Sequence, residues 1–168
     1  QTTVFDDGRG VRTDYAYVGE EARSIALCGA RNSRGIHRSE AYLNMWGSAL
    51  VGSSANPGLS RIDAADVVLD VSGGDSFSDV YGARRFHTVT WPKRLALQRR
   101  RPLVFLPQTY GPFRSCSVRQ EAAGLLRGAA MAWSRDADSH AELSALLGLD
   151  YDPRRHRQGV DVAFALAP

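Results

Sequence analysis

Residues able to do chemistry gather at three places in this 168-residue chain: Ser72-Gly73-Gly74-Asp75-Ser76, Gln108-Thr109-Tyr110-Gly111 and Ser134-Arg135-Asp136. The adjacent glycines of the first group let a backbone turn sharply and let a ligand approach the main chain closely. A plain strand-to-helix turn would use the same pair without any ligand. Asp75 is a carboxylate able to take a proton from an attacking hydroxyl, and a turn-stabilising Asx role suits it equally. Arg135 offers a planar fork matched to carboxylates and phosphates. The alternative for it is an ion pair with Asp136 or Asp138. No G-x-G-x-x-G is present and no Gly-Lys-Ser/Thr follows the glycines, so neither the dinucleotide fingerprint nor the Walker A loop applies. His37, His87, His140 and His156 fall in no motif and read as surface residues. Cys28 and Cys116 are isolated, which leaves no disulfide framework and no metal-spaced cluster.

Each of these groups must be held by an element. Val67-Val68-Leu69 with Val71 is a short β-branched and aliphatic run, expected to be a strand buried on both sides. Leu103 to Leu106, opened by Pro102, and Ala130 to Trp133 are expected to be two more strands. Between them lie helical patterns. One runs from Arg84 to Arg99, with a kink or a Thr90-capped restart at Pro92. A second starts at a Ser117/Gln120 capping box and carries Val118, Ala122, Leu125, Leu126 and Ala129 on one face. A third starts at Ser139/Glu142, shows the stripe Leu143, Leu146 and Leu147, and stops at Gly148.

The flanks are less regular. Thr2 to Phe5, Tyr15 to Val18 and Ile25 to Cys28 read as short strands, and Arg31 to Arg38 as a loop. Ser39 would cap a helix with Leu43, Trp46 and Leu50 at i, i+3 and i+7. Ser53 to Gly58 is a break, followed by a short helix from Leu59 to Ala64. Asp150 to Gln158 reads as polar loop and Val160 to Leu166 as a last strand containing Asp161. Strand, turn and helix repeated three times predicts an α/β fold, a Rossmann-like parallel sheet with helices on both faces, in one domain over residues 1–168.

Bulk composition excludes several classes. The formal charge of +3 is mild, and Lys93 is the only lysine beside abundant arginine. No RRM or zinc-finger pattern accompanies Arg99-Arg100-Arg101, which reads as a solvated helix end, so no nucleic-acid partner is expected. No stretch approaches 18 unbroken apolar residues, so no membrane span is expected. The N-terminal residues lack a basic region followed by an apolar one, and a reducing cytoplasmic setting is the default expectation.

Taken in order, S-G-G-D-S-F, L-P-Q-T-Y-G-P-F and W-S-R-D-A-D-S, followed by L-L-G and V-D-V-A-F-A-L, resemble the polysaccharide pyruvyl transferase family from about Asp66 to Leu166. The resemblance implies one half of a GT-B-like pair of Rossmann-like domains with a cleft between them. It implies transfer of an enolpyruvyl group from phosphoenolpyruvate to sugar hydroxyls, giving a pyruvate ketal on a cell-surface glycan. Phosphoenolpyruvate would be the donor substrate, with no cofactor or metal. The partners would be a sugar or glycan acceptor and a C-terminal domain that carries the donor-binding basic residues. On their chemistry Asp75 and Arg135 are the candidate catalytic residues, and the resemblance also places Arg135 in the cleft. Ser72, Gly73, Gly74, Ser76, Gln108, Tyr110, Gly111 and Asp136 would line the cleft. Asp75 stands where many members have a third glycine, and the family's opening strand with its Asn-x-Gly-Asp loop is not seen before Gln1. These departures give the expectation of an N-terminal domain trimmed at both ends, inactive alone. A second reading is a methyltransferase-like domain using S-adenosylmethionine, from V-L-D-V-S-G-G-D. A third is a non-catalytic sugar- or partner-binding module.

Overall fold

The computed structural model describes residues 16–18, 21–23, 42–52, 56–72 and 77–161. The chain divides into two compact units, Gln1–Arg61 and Ile62–Pro168. In the first, β1 (Ala16–Val18) and β2 (Glu21–Arg23) form an antiparallel pair. The sequence suggested β1 but not β2. The expected strands at 2–5 and 25–28, the loop at 31–38 and the Ser39 cap lie outside the described residues.

Two helices follow, α1 (Tyr42–Leu50) and α2 (Pro57–Ala64). α2 starts two residues before Leu59 because Asn56 caps it. The Asn56 side-chain oxygen accepts from the Gly58 and Leu59 N–H groups at 3.0 and 3.2 Å, with Pro57 in the first helical position, where its missing N–H costs nothing. Met45 of α1 is buried, whereas Leu43, Trp46 and Leu50 are exposed. The apolar stripe read from their spacing is therefore not a buried face in the described residues.

The second unit is an α/β layer structure. A parallel sheet runs β3 (Val68–Asp70), β4 (Leu103–Gln108), β5 (Met131–Ser134) and β6 (His156–Gln158), in that spatial order. Val68 is in register with Leu103, Val104 with Met131, and Ala132 with His156. The helices α3 (Ala83–Gln98), α4 (Cys116–Gly128) and α5 (Ala137–Leu147) connect successive strands and flank the sheet, α3 beside α4 and α4 beside α5. The expected parallel pairing of the three central strands holds.

The core lies between this helix layer and the sheet. Leu103, Phe105 and Ala132 point into it from the strands, meeting Phe86, Val118, Ala122, Leu126 and Leu143. Phe77 is its centre, with ring centroids 5.3 Å from Phe105, 5.7 Å from Phe86 and Phe113, and 5.8 Å from Tyr110. Edge-on and tilted contacts of this kind suit the aromatic quadrupole. They pin the chain at Phe77.

Several local expectations need correction. β3 is the edge strand among the described residues, and Val67, Leu69 and Val71 are 42%, 45% and 58% exposed rather than buried on both sides. α3 passes through Pro92 without a restart, and Thr90 is no cap. Its hydroxyl is buried and donates to Glu121 Oε1 at 2.7 Å, clasping α3 to α4. Arg94 and His87 reach the same carboxylate. Arg94 and Thr90 together outweigh burial and hold the Glu121 pKa below its usual value.

The helix starts differ too. α4 begins at Cys116 with Ser115 as its N-cap residue, and the chain leading into it is held by a carboxylate from another loop: Asp79 accepts from Arg114 N at 2.9 Å and Ser115 N at 2.8 Å. α5 is capped by Asp136, whose Oδ1 accepts from Ser139 N at 2.7 Å, so Ser139 is inside the helix. Segment 150–158, expected as loop, starts on the last residue of a 3-10 turn (Gly148–Asp150) and ends in β6. Val160 and Asp161 have no regular structure, and the rest of the expected last strand lies outside the described residues.

Candidate functional site

Parallel strands place all their carboxyl ends on one edge of a sheet, where ligands of open α/β folds bind. Here that edge carries Asp70, Gln108, Ser134 and Gln158 as the last strand residues. Gln108 ties the first three strand ends together. Its Nε2 donates to Asp70 Oδ2 at 3.1 Å, its Oε1 accepts from Ser72 N at 3.1 Å, and its backbone carbonyl accepts from Arg135 N at 3.2 Å. The amide orientation follows from chemistry, because only the NH₂ end can serve a carboxylate and only the oxygen can serve an N–H.

Behind this hub sits a buried charge pair. Lys93 of α3 is 3% exposed, and its Nζ lies 2.7 Å from Asp70 Oδ1 while donating to Val89 O at 2.9 Å. The ammonium also stands 5.6 Å from the Phe77 ring centre and 5.9 Å from that of Phe105, within cation–π range. Burial pushes its pKa down, while the Asp70 charge and hydrogen bond pull the other way. Asp70 also accepts from Ser72 Oγ at 3.0 Å. Every polar group of this corner is thus turned inward on another.

At the β5 and β6 ends the edge is open. Arg135, Asp136, Val160 and Asp161 line a concavity of about 260 Å³. Arg135 Nη1 lies 3.2 Å from Asp161 Oδ2, and its Nε 3.4 Å from Asp136 Oδ2. The hydrogen bonds from Ser139, helped by Arg135, hold the Asp136 pKa below the usual carboxylate value. At the same strand ends lies a polar cluster. Ser134 Oγ donates to Arg157 O at 3.2 Å and lies 3.0 Å from His140 Nδ1. His140 Nε2 lies 3.0 Å from the Tyr151 hydroxyl, which donates to His156 O at 3.2 Å.

The residues singled out from the sequence therefore divide. Gly73, Gly74, Asp75 and Ser76 lie outside the described residues. Ser72 and Gln108 meet, but in the closed corner and not in the concavity. Tyr110 is buried, its hydroxyl donating to Trp133 O at 3.0 Å, and burial raises its pKa. Gly111 is also buried, at φ 74°. A side chain there would meet Glu142 and Phe113 as well as backbone strain. Arg135 and Asp136 do come together on the open edge.

Lys93, Asp70 and Asp161 join this edge without having been expected there from the sequence. The one lysine of an arginine-rich chain was a usable signal for Lys93, and the lone acid within V-L-D-V for Asp70. Reading all histidines as surface residues fails for His156, which is 1% exposed. Asp152 N donates to its Nδ1 at 2.9 Å.

Comparison with protein-family models, with curated proteins and with solved structures finds no match to this chain. Among the described residues there is no group of His, Cys, Asp and Glu arranged to hold a metal ion, and no helix long and apolar enough to cross a membrane.

Proposed function

We propose that this chain is one half of a two-domain pyruvyl transferase that moves an enolpyruvyl group from phosphoenolpyruvate to a sugar hydroxyl of a glycan, in the cytoplasm. The observation that carries the reading is Gln108. It joins the ends of three consecutive parallel strands, and each of those ends opens one of the three motifs on which the family resemblance rests.

In this reading Arg135 presents its fork to the donor's carboxylate or phosphate, and Asp75 takes the proton from the sugar hydroxyl. The glycan hydroxyls meet the Ser72, Gly73, Gly74 and Ser76 positions. Gln108, Tyr110, Gly111 and Asp136 act by shaping the loops that bear these groups.

The methyltransferase reading needs an acidic residue at the end of the second strand to hold a ribose. That position is Gln108, whose amide is already spent on Asp70 and Ser72. Thermal shift with phosphoenolpyruvate, S-adenosylmethionine and a panel of sugars tests the three readings together. Stabilisation by phosphoenolpyruvate that is lost in Arg135→Gln is the expected result. Stabilisation by S-adenosylmethionine alone, or by sugars without phosphoenolpyruvate, overturns it.

A further inference from the structure

Four polar contacts meet around His140, and a neutral ring cannot satisfy them all. The Ser134 and Tyr151 hydroxyls each have a single proton, and each faces a backbone carbonyl at 3.2 Å, Arg157 O and His156 O. A carbonyl oxygen only accepts, so each hydroxyl spends its proton there. What each then turns towards His140 is a lone pair. Ser134 Oγ lies 3.0 Å from Nδ1, and the Tyr151 hydroxyl 3.0 Å from Nε2. A neutral imidazole has one N–H and serves only one of the two. With that proton on Nε2, Ser134 must leave Arg157 O in order to donate to Nδ1. With it on Nδ1, Tyr151 must leave His156 O. The imidazolium has both donors and keeps all four contacts. The second histidine of the cluster is fixed the other way. Asp152 N donates to His156 Nδ1 at 2.9 Å, so that nitrogen carries no proton and the ring is neutral.

We propose that this cluster is a proton-operated clasp, in which His140 holds two ring protons and His156 one when α5 is closed onto β5 and β6. Loss of a proton from His140 frees either Ser134 from Arg157 or Tyr151 from His156. The surrounding charges suit one cation at His140 and none at His156. The first turn of a helix disfavours a cation, and Asp136 at the cap with Asp138 in the first turn offsets this. On β6, Arg157 turns its guanidinium to the Trp133 ring, 5.6 Å from its centre. Arg155 donates to the Arg127 and Ala129 carbonyls at the end of α4. On α4 itself Arg119 is paired with Glu142, and Arg127 with Asp150. The Asp152 carboxylate accepts from Arg154 N. Charge on Arg155 and on His140 disfavours charge on His156. Ser134 directly precedes Arg135, and its carbonyl accepts from Gly159 N at 2.8 Å. The clasp therefore joins the two strand ends that carry the concavity. It needs no substrate, so it stands apart from the transferase reading.

The test follows the ring nitrogens of His140 and His156 by NMR as pH is varied, in the unaltered chain, in Tyr151→Phe and in Ser134→Ala. Each substitution removes one hydroxyl and with it the conflict, because a neutral His140 then satisfies the contacts that remain. In the unaltered chain His140 should take its second proton at a higher pH than His156 does. In each variant the midpoint of the His140 titration should fall by about one pH unit, tenfold in proton affinity, roughly the worth of one hydrogen bond to a charged group. A midpoint that fails to fall in one variant or in both overturns the proposal. So does His156 taking its second proton first. Should either variant fail to fold, the order of protonation in the unaltered chain decides alone.

Discussion

The two halves of one sheet edge are built on opposite plans. At the β3 and β4 ends, Lys93, Asp70, Gln108 and Ser72 consume one another's hydrogen-bonding capacity within a buried corner. At the β5 and β6 ends, Arg135, Asp136 and Asp161 form pairs that remain about a third to a half exposed around a concavity. Both halves hold a cation between acceptors, so residue type does not separate structural from ligand-facing charge. Burial does. A buried pair left with one member is costly, whereas an exposed pair can be exchanged for a pair with solvent or with a ligand at small cost.

That contrast predicts its largest effect at Lys93. Lys93→Met strands the Asp70 carboxylate in the corner and should cost about 3–5 kcal/mol in urea unfolding, the range for breaking a buried pair. The double variant Lys93→Met with Asp70→Asn should recover a large part of that loss, because no charge is then left alone. A cost below about 1 kcal/mol for Lys93→Met, the range of an exposed pair, would erase the distinction between the two halves.

The next effect is smaller and concerns the loop that leaves the closed half. Asp79 accepts from the Arg114 and Ser115 N–H groups that lead into α4, and its bond to Ser115 spans 36 residues. Asp79→Ala should cost about 0.5–1.5 kcal/mol, the net worth of a typical hydrogen bond. Its pH behaviour has a fixed sign. The hydrogen bonds from Arg114 and Ser115 outweigh its slight burial and lower its folded pKa. The contribution is therefore present above the unfolded value, near 3.9, and lost as pH falls through the lowered folded one. Denaturation curves of wild type and Asp79→Ala should converge in acid.

How much of this was legible beforehand depends on the range of the interaction. The core-facing residues of α4 and α5 were readable, since Val118, Ala122, Leu126, Leu143 and Leu147 mark helical period and are all buried. So were the three parallel strands. The helix starts differ from expectation because α5 is capped by Asp136, a residue expected to face ligand, and the entry to α4 is held by Asp79 from far along the chain. β6 escaped because His-Arg-Gln has no apolar alternation. Only His156 faces inward, and it is a residue type usually read as polar surface. The Arg135–Asp136 pair was legible as an alternative for Arg135, but the long-range pairs were not. Lys93 and Asp70 are 23 positions apart and Arg135 and Asp161 are 26 apart, with no local pattern joining them.

His156, the buried first residue of β6, offers a further test on the same strand. Burial, reinforced by Arg155, lowers its pKa against the pull of the Leu126 carbonyl and Asp152. A histidine with a depressed folded pKa gives stability that is complete above the unfolded value near 6.5 and is lost as pH falls through the folded value. Melting temperature should therefore drop between pH 7.5 and 5 in wild type, and the drop should be shallower in His156→Phe. A parallel pair of curves would remove His156 as the cause.

The smallest expected effect is the most informative about the open half. Arg135→Gln breaks two ion pairs, yet both involve partly exposed groups, and Asp136 keeps its hydrogen bond from Ser139. The cap on α5 therefore survives, and Arg135 N still donates to Gln108 O through the backbone. What is lost is a screened attraction that solvent largely replaces, so unfolding free energy should change by no more than about 0.5 kcal/mol. The contrast with Lys93 is then nearly tenfold in energy for the same formal change, one cation removed from the sheet edge. A cost of several kcal/mol at Arg135, measured by urea denaturation, would mean that its charge holds the fold as Lys93 does. Arg135 would then be a structural ion pair, and the concavity would lose the group that makes it a candidate site.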